Sequence, residues 1–132
     1  MKQTGNAIVD KSKAFAIRVI RLFQYLQKEK KEYIISKQLL RSGTSVGANI
    51  KEGIRGQSVK DFRAKMAIAL KEASESEYWL ELLVETDYID QTQFESMVND
   101  CIELIKILTA ILNSSERNTV KEEIEPYGLI HN

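Results

Sequence analysis

Apolar residues recur every three or four positions from Ile8 to Leu112, the spacing that places one buried face on an α-helix. Breaks in that pattern are few: the chain has a single proline, Pro126, and six glycines. The spacing predicts four helices. The first runs from about Asn6 to Lys30 and gathers Ile8, Phe15, Val19, Leu22 and Leu26 into one sector. The second runs from about Tyr33 to Arg55, with Leu39, Gly43, Val46, Ile50 and Ile54 inward. The third opens at Ser58, where Ser58-x-x-Asp61 reads as a capping box, and continues to about Thr86. The fourth opens near Thr92 with Thr92-x-x-Glu95 and reaches about Asn113, its inner face formed by Phe94, Val98, Cys101, Ile105, Leu108 and Leu112. Short connections make sequence neighbours antiparallel. The expected fold is all-α, an antiparallel up-down-up-down four-helix bundle over residues 1–113. Residues 114–132 lose the periodicity and contain the turn signal Glu125-Pro126-Tyr127-Gly128, which predicts a C-terminal tail, extended or lightly packed.

Two helices carry more than one stripe. On the third, Phe62, Met66, Ala69, Ala73, Leu80 and Val84 fall together and are expected to face the core. Ile68, Trp79 and Leu82 fall roughly 100–160° away, as helical pitch dictates, beside Glu72 and Glu75. An exposed tryptophan among aliphatics and carboxylates is the composition of a protein contact, with an aromatic anchor and a charged rim. A second subunit, or the C-terminal tail, is expected to cover it. On the second helix, Gln38, Arg41, Ser45, Asn49 and Glu52 form a polar stripe. The run Ser42-Gly43-Thr44-Ser45-Val46-Gly47-Ala48-Asn49 is poor helix-forming material, each glycine costing about 1 kcal/mol against alanine. Close packing is expected to offset that cost.

Charge sharpens the picture. The 132-residue chain has zero formal net charge, but residues 1–65 hold fifteen Lys/Arg against five Asp/Glu, and residues 66–132 hold four against fourteen. The halves carry +10 and −10, so two basic helices must lie beside two acidic ones. Lys28, Lys30 and Lys31 cluster at the first turn, and Lys37, Lys51 and Arg55 share one face of the second helix; these are the candidate contacts for RNA or DNA. No apolar run approaches the ~20 residues that span a bilayer, and no signal-peptide pattern precedes the first helix. With a single cysteine there is no intrachain disulfide, so the expected compartment is the cytoplasm.

The segment Arg41-Ser42-Gly43-Thr44-Ser45-Val46-Gly47-Ala48-Asn49-Ile50 is followed by Glu52-Gly53, Phe62, Ile68-Ala69-Leu70-Lys71-Glu72-Ala73 and Glu75-Ser76-Glu77-Tyr78-Trp79-Leu80. In order and spacing this resembles the bacterial four-helix bundle family whose founding members are encoded in intervening sequences of 23S rRNA genes. The resemblance implies an up-down-up-down bundle assembled as a ring-shaped homopentamer, with no catalytic residue to carry over. It is also similar to the accessory subunit of diversity-generating retroelements, a pentameric bundle that associates with reverse transcriptase and nucleic acid. That relative is markedly basic, whereas this chain is neutral. A head-to-tail ring gives each subunit two different contact surfaces. Arg41, Ser45, Asn49 and Glu52 are therefore expected to meet Ile68, Glu72, Glu75, Trp79 and Leu82, across a subunit boundary or between neighbouring helices.

Catalytic constellations are missing from the pattern. His131 is the lone histidine and stands next to the C-terminus, which leaves Ser-His-Asp and Cys-His arrangements without a base. Cys101 sits on an apolar stripe, the place of a structural thiol. The Glu-x-x-His pairs of a di-iron bundle do not occur, and Gly43, Gly47, Gly53 and Gly56 fit no phosphate-binding spacing. The sequence predicts a homo-oligomeric scaffold or adaptor without cofactor or metal, or alternatively a nucleic-acid-binding accessory protein partnered with RNA, DNA or a nucleic-acid enzyme.

Overall fold

A computed structural model describes the backbone of residues 4–124 and the side chains of residues 4–114; Pro126 and His131 lie outside these. Four helices follow one another: α1 Ala7–Lys28, α2 Ile35–Ile54, α3 Val59–Glu85 and α4 Gln91–Ile124. Pairs of touching residues run in opposite senses along each seam. Arg18 reaches Ser96 and Asp100 while Lys11 reaches Glu103. Arg41 reaches Glu72 and Glu75 while Glu52 reaches Lys65. Each helix packs on two neighbours, α1 on α2 and α4, α3 on α2 and α4, so the bundle is antiparallel and up-down-up-down.

The core is a single column: Phe15, Val19 and Leu26 from α1, Leu39, Val46 and Ile50 from α2, Met66, Leu80 and Leu83 from α3, Cys101, Leu104 and Leu108 from α4. At roughly 1.5–3 kcal/mol for each large side chain fully removed from water, this column is the main stabilising term. Most of the expected inner faces are there. Ile54 is the exception, 46% exposed; Gly53 takes the inward position at the end of α2, where a Cβ would meet Met66 Cε at 2.6 Å. Leu83, Met97 and Leu104 are buried as well. A helix touching two neighbours presents a face wider than one stripe, which accounts for these three.

The costly run on α2 has its compensation inside the chain. A Cβ at Gly43 would stand 2.8 and 2.9 Å from the two methyls of Val19, and one at Gly47 would stand 3.2 Å from Ser12 Oγ. The two glycines thus let α1 approach, rather than a second subunit. On the other flank Ser42 and Ser76, both fully buried, share a hydrogen bond of 2.8 Å. Each hydroxyl also reaches a carbonyl of its own helix, Ser76 Oγ donating to Glu72 O at 2.9 Å and Ser42 Oγ to Leu39 O at 3.4 Å, so either can be the donor between the two.

The helix ends follow capping chemistry. Ser58 Oγ accepts from Asp61 N at 3.0 Å, as its box predicts. The box of α4 stands two residues earlier than the sequence reading placed it: Asp90 Oδ1 accepts from Gln93 N and Gln93 Oε1 accepts from Asp90 N, both at 2.8 Å. At the end of α3, Tyr88 N donates to Leu83 O and Asp87 N to Val84 O, a Schellman closure with Asp87 at φ +67° where glycine is usual. Helix α4 does not stop near Asn113. It passes Arg63 of α3 at Leu112, whose carbonyl accepts from Arg63 Nη1 at 2.8 Å, and continues to Ile124. The 114–132 tail therefore begins as helix; 125–132 lie outside the described residues.

The Gly43 seam gives a direct test. Gly43→Ala gains about 1 kcal/mol of helix propensity but drives a methyl into a β-branched side chain that cannot swing away. The expected outcome is a net loss of roughly 1–3 kcal/mol, as for other overpacked cores, read from the urea midpoint at unchanged m-value; a gain in stability would contradict the packing.

Candidate functional site

Two surface features concentrate the candidate contacts singled out in the sequence, and a third gathers residues that were not. The first is the outer seam between α2 and α3. Arg41, half exposed, forks across it: Nη1 donates to Glu72 Oε2 at 2.9 Å and Nη2 to Glu75 Oε2. Trp79 Nε1 donates to the same Glu75 oxygen at 3.1 Å, and its ring lies 5.3 Å from that of Tyr78 at a tilt of 56°. The Arg41–Glu72–Glu75–Trp79 set is thus assembled between neighbouring helices of one chain. Ser45 Oγ donates back to Arg41 O at 2.6 Å, and Asn49 Nδ2 to Ser45 O at 2.8 Å, so both stay with their own helix. Glu52 faces Lys65 at 3.5 Å. Trp79 and Leu82 are half-buried, while Ile68 is 41% exposed. Ile34, on the same stripe as Arg41 by helical pitch, is 76% exposed; it stands just before the first turn of α2 and was not among the residues singled out in the sequence.

The second feature is the basic flank. Lys28, Lys30, Lys31, Lys37, Lys51 and Arg55 are all exposed, and among the described residues none has an ion pair. Lys31 holds φ +56° and turns the chain between α1 and α2. Lys30 shares the rim of a hollow with Asp87 and Asp90, so the turn region is not uniformly positive. Glu32, which follows directly, is 6% exposed and works as the cap of α2. Its Oε2 accepts from Ile34 N at 3.1 Å and Ile35 N at 3.0 Å, and its Oε1 from Ser36 N at 2.7 Å. Burial pushes this carboxyl up, but the three backbone N–H groups and Ser36 outweigh it and hold it below the usual carboxylate range. A helix start offers orphan donors and a positive dipole end, which is the physical source of the effect. In the sequence it showed only as one acid in a lysine-rich turn.

The third is the seam between α1 and α4, which opens into a groove of about 510 Å³ lined by Ile17, Arg18, Arg21, Leu22, Gln93 and Met97 among others. Arg18 is held there by Asp100 Oδ2 at 2.6 Å, Ser96 Oγ at 2.7 Å and Ser96 O at 3.1 Å.

Reactive groups are absent from all three. Cys101 is buried, its S–H directed at Ala73 O at 3.0 Å. Burial, with the Glu77 and Asp100 carboxylates nearby, pushes its thiol up to about 12, far from a nucleophile's range. Among the described residues no group of three His, Cys, Asp or Glu side chains has a metal-binding arrangement, and no helix is long and apolar enough to cross a membrane.

Comparison with known proteins places this architecture. The model of the 23S rRNA-intervening sequence protein family matches residues 5–110. The chain belongs to that family. A crystal structure at 1.70 Å resolution of a protein with unknown function, from the S23 ribosomal protein family of Bacteroides thetaiotaomicron VPI-5482, is 53% identical. Its match covers 80% of this chain and 97% of that chain, with a TM-score of 0.79. Among curated proteins no match is found. Neither description names an enzymatic activity. The match ends at residue 110, before the last turns of α4.

The Glu32 cap gives a pH-dependent prediction. Its folded pKa lies below the unfolded value near 4.5, so its stabilisation is complete above about pH 4.5 and is lost as pH falls through the folded value. Glu32→Gln is expected to cost about 1–2 kcal/mol at pH 7, and the gap from the parent to narrow at pH 3. Urea titrations at both pH values check this; a gap independent of pH would assign the cap to shape rather than charge.

Proposed function

We propose that this protein works without catalysis, as a homo-oligomeric scaffold or adaptor assembled head-to-tail into a ring, with five copies as the expected number. The observation that carries the reading is the apolar exposure left along the α2–α3 seam: Ile34 at 76% and Ile68 at 41% flank the half-buried Trp79 and Leu82. Around them stand the polar groups of an interface rim, Arg41, Ser45, Asn49, Glu52, Glu72 and Glu75. Because Arg41 already pairs with Glu72 and Glu75 in its own chain, the rim is preorganised, and a neighbour need only cover the aliphatic and aromatic surface. A ring requires a second, different surface on each subunit. The basic α1–α2 flank, where Ile20 is 39% exposed, supplies one of opposite charge to the acidic half.

Native mass spectrometry tests this: the expected mass is five times that of the 15.1 kDa chain. Ile68→Glu should shift the population to monomer while folding stability changes by no more than about 0.5 kcal/mol, as at an ordinary surface site. A monomeric parent, or an assembly indifferent to Ile68→Glu, would overturn the assignment.

A second reading, an accessory protein for RNA or DNA, is favoured by six cations that have no ion pair among the described residues, Lys28, Lys30, Lys31, Lys37, Lys51 and Arg55, repeated around any ring. Repetition raises avidity without new contacts. Binding of this kind loses affinity steeply with salt, with a log–log slope approaching −0.7 to −0.9 per phosphate contact. Titration of structured RNA at 50 and 200 mM NaCl should show roughly a 10²-fold or greater loss if the flank engages phosphates; no binding at the lower salt eliminates this reading.

A further inference from the structure

We infer that the C-terminal arm, α4 beyond Leu112 with residues 125–132, docks in the α1–α4 groove of a second copy of this chain. The arm lies beyond the family match, which spans residues 5–110. Its segment Glu122-Glu123-Ile124-Glu125-Pro126-Tyr127-Gly128-Leu129-Ile130 combines three carboxylates with the apolar Ile124, Tyr127, Leu129 and Ile130 and has no cation. The groove answers that composition. Its wall includes Ile17, 40% exposed, with Leu22 and Met97. At its rim Arg21 is exposed and has no ion pair among the described residues, whereas Arg18 is held by Asp100. The α2–α3 seam offers the same segment no free cation, because Arg41 is already held by Glu72 and Glu75 and Lys65 faces Glu52.

Reach decides between the chain's own groove and another copy's. At 1.5 Å per residue, Ile124 stands about 40 Å along the helix from Met97, the near end of the groove on α4. Residues 125–132 span at most about 29 Å even when fully extended. The arm therefore falls short of its own groove, and a second copy must supply the site. The inference rests on the self-assembly reading but uses a surface separate from the α2–α3 seam, so the two can fail separately.

The test is photo-cross-linking of the full chain with p-benzoylphenylalanine in place of Tyr127, ¹⁴N- and ¹⁵N-labelled copies being mixed by refolding together from urea. The expected cross-links join unlike isotopes at the random-mixing frequency and land within residues 17–22 or 92–97. Arg21→Glu should lower their yield by about tenfold, the scale of one lost interfacial charge pair. Changing Glu122, Glu123 and Glu125 to Lys in the Arg21→Glu background should restore it. Cross-links confined to one isotope would mean that the arm folds back on its own chain, and cross-links between copies that land on the α2–α3 seam would name the wrong surface; either overturns the inference. If native mass shows an oligomer and no groove cross-links form, this inference fails and the scaffold reading stands. A chain that is monomeric by native mass, with no cross-links, sinks both.

Discussion

Helix α2 lies between α1 and α3, and both contacts depend on side chains too small to fill an ordinary helix surface. Toward α1 the contact is glycine against Val19 and Ser12; toward α3 it is the Ser42–Ser76 hydroxyl pair. Neither is strong alone. A neutral hydrogen bond nets about 1 kcal/mol, and each glycine subtracts about as much from helix propensity. Their effect is geometric. By drawing the backbones together they let Leu39, Val46 and Ile50 reach the same column as Phe15, Val19, Met66 and Leu80, where area burial supplies the stability. They also specify register, since sliding α2 by one position would part the Ser42 and Ser76 hydroxyls and set a larger side chain against Val19. Among the described residues no buried side-chain polar atom lacks a partner, so the penalty of an unpaired one is avoided throughout.

The outward geometry follows. With Gly43 and Ser42 turned toward α1 and α3, pitch sends Arg41, Ser45, Asn49 and Glu52 along the outer α2–α3 seam, opposite Glu72, Glu75 and Trp79. The Arg41 fork can then close over two carboxylates, one of which, Glu75, stands four residues before the tryptophan whose indole N–H it accepts. The same residues that make α2 a poor isolated helix thus position the surface that the scaffold reading depends on.

How legible was this in the sequence? Period and capping found four helices because long segments with apolar spacing and few glycines admit no strand alternative. The juxtaposition of Arg41 with Glu72 and Glu75 followed from stripes at the 100° pitch, though whether it joined helices or subunits did not. What pattern reading missed has a common cause. Ile54 lost its inward place to Gly53, where a Cβ would crowd Met66 Cε and stand 3.0 Å from Lys65 Cβ. Glu32 hid in a run of lysines because its role comes from three backbone N–H groups, which carry no sequence signal. Asp90-x-x-Gln93 competed with an equally plausible box two residues on, and only the path of the preceding Schellman turn chose between them.

The charge split looks different once the helices are in place. Lys11–Glu103, Arg18–Asp100 and Arg41 with Glu72 and Glu75 each join the basic half to the acidic half within one chain. Exposed pairs of this kind contribute about 0–1 kcal/mol each, so they orient the seams more than they stabilise them. The imbalance is reduced by these pairs without being removed. Arg21, Lys37, Lys51 and Arg55 remain without ion pairs among the described residues on one side, and Glu81, Glu85 and Glu95 on the other. A monomer gains nothing from keeping like charges gathered, because self-repulsion disfavours the compact state. In the proposed assembly, opposite flanks that meet between copies would convert that repulsion into attraction and fix the relative orientation of the subunits. The proposed docking of the acidic arm beside Arg21 of a second copy would be the same arrangement on a smaller scale.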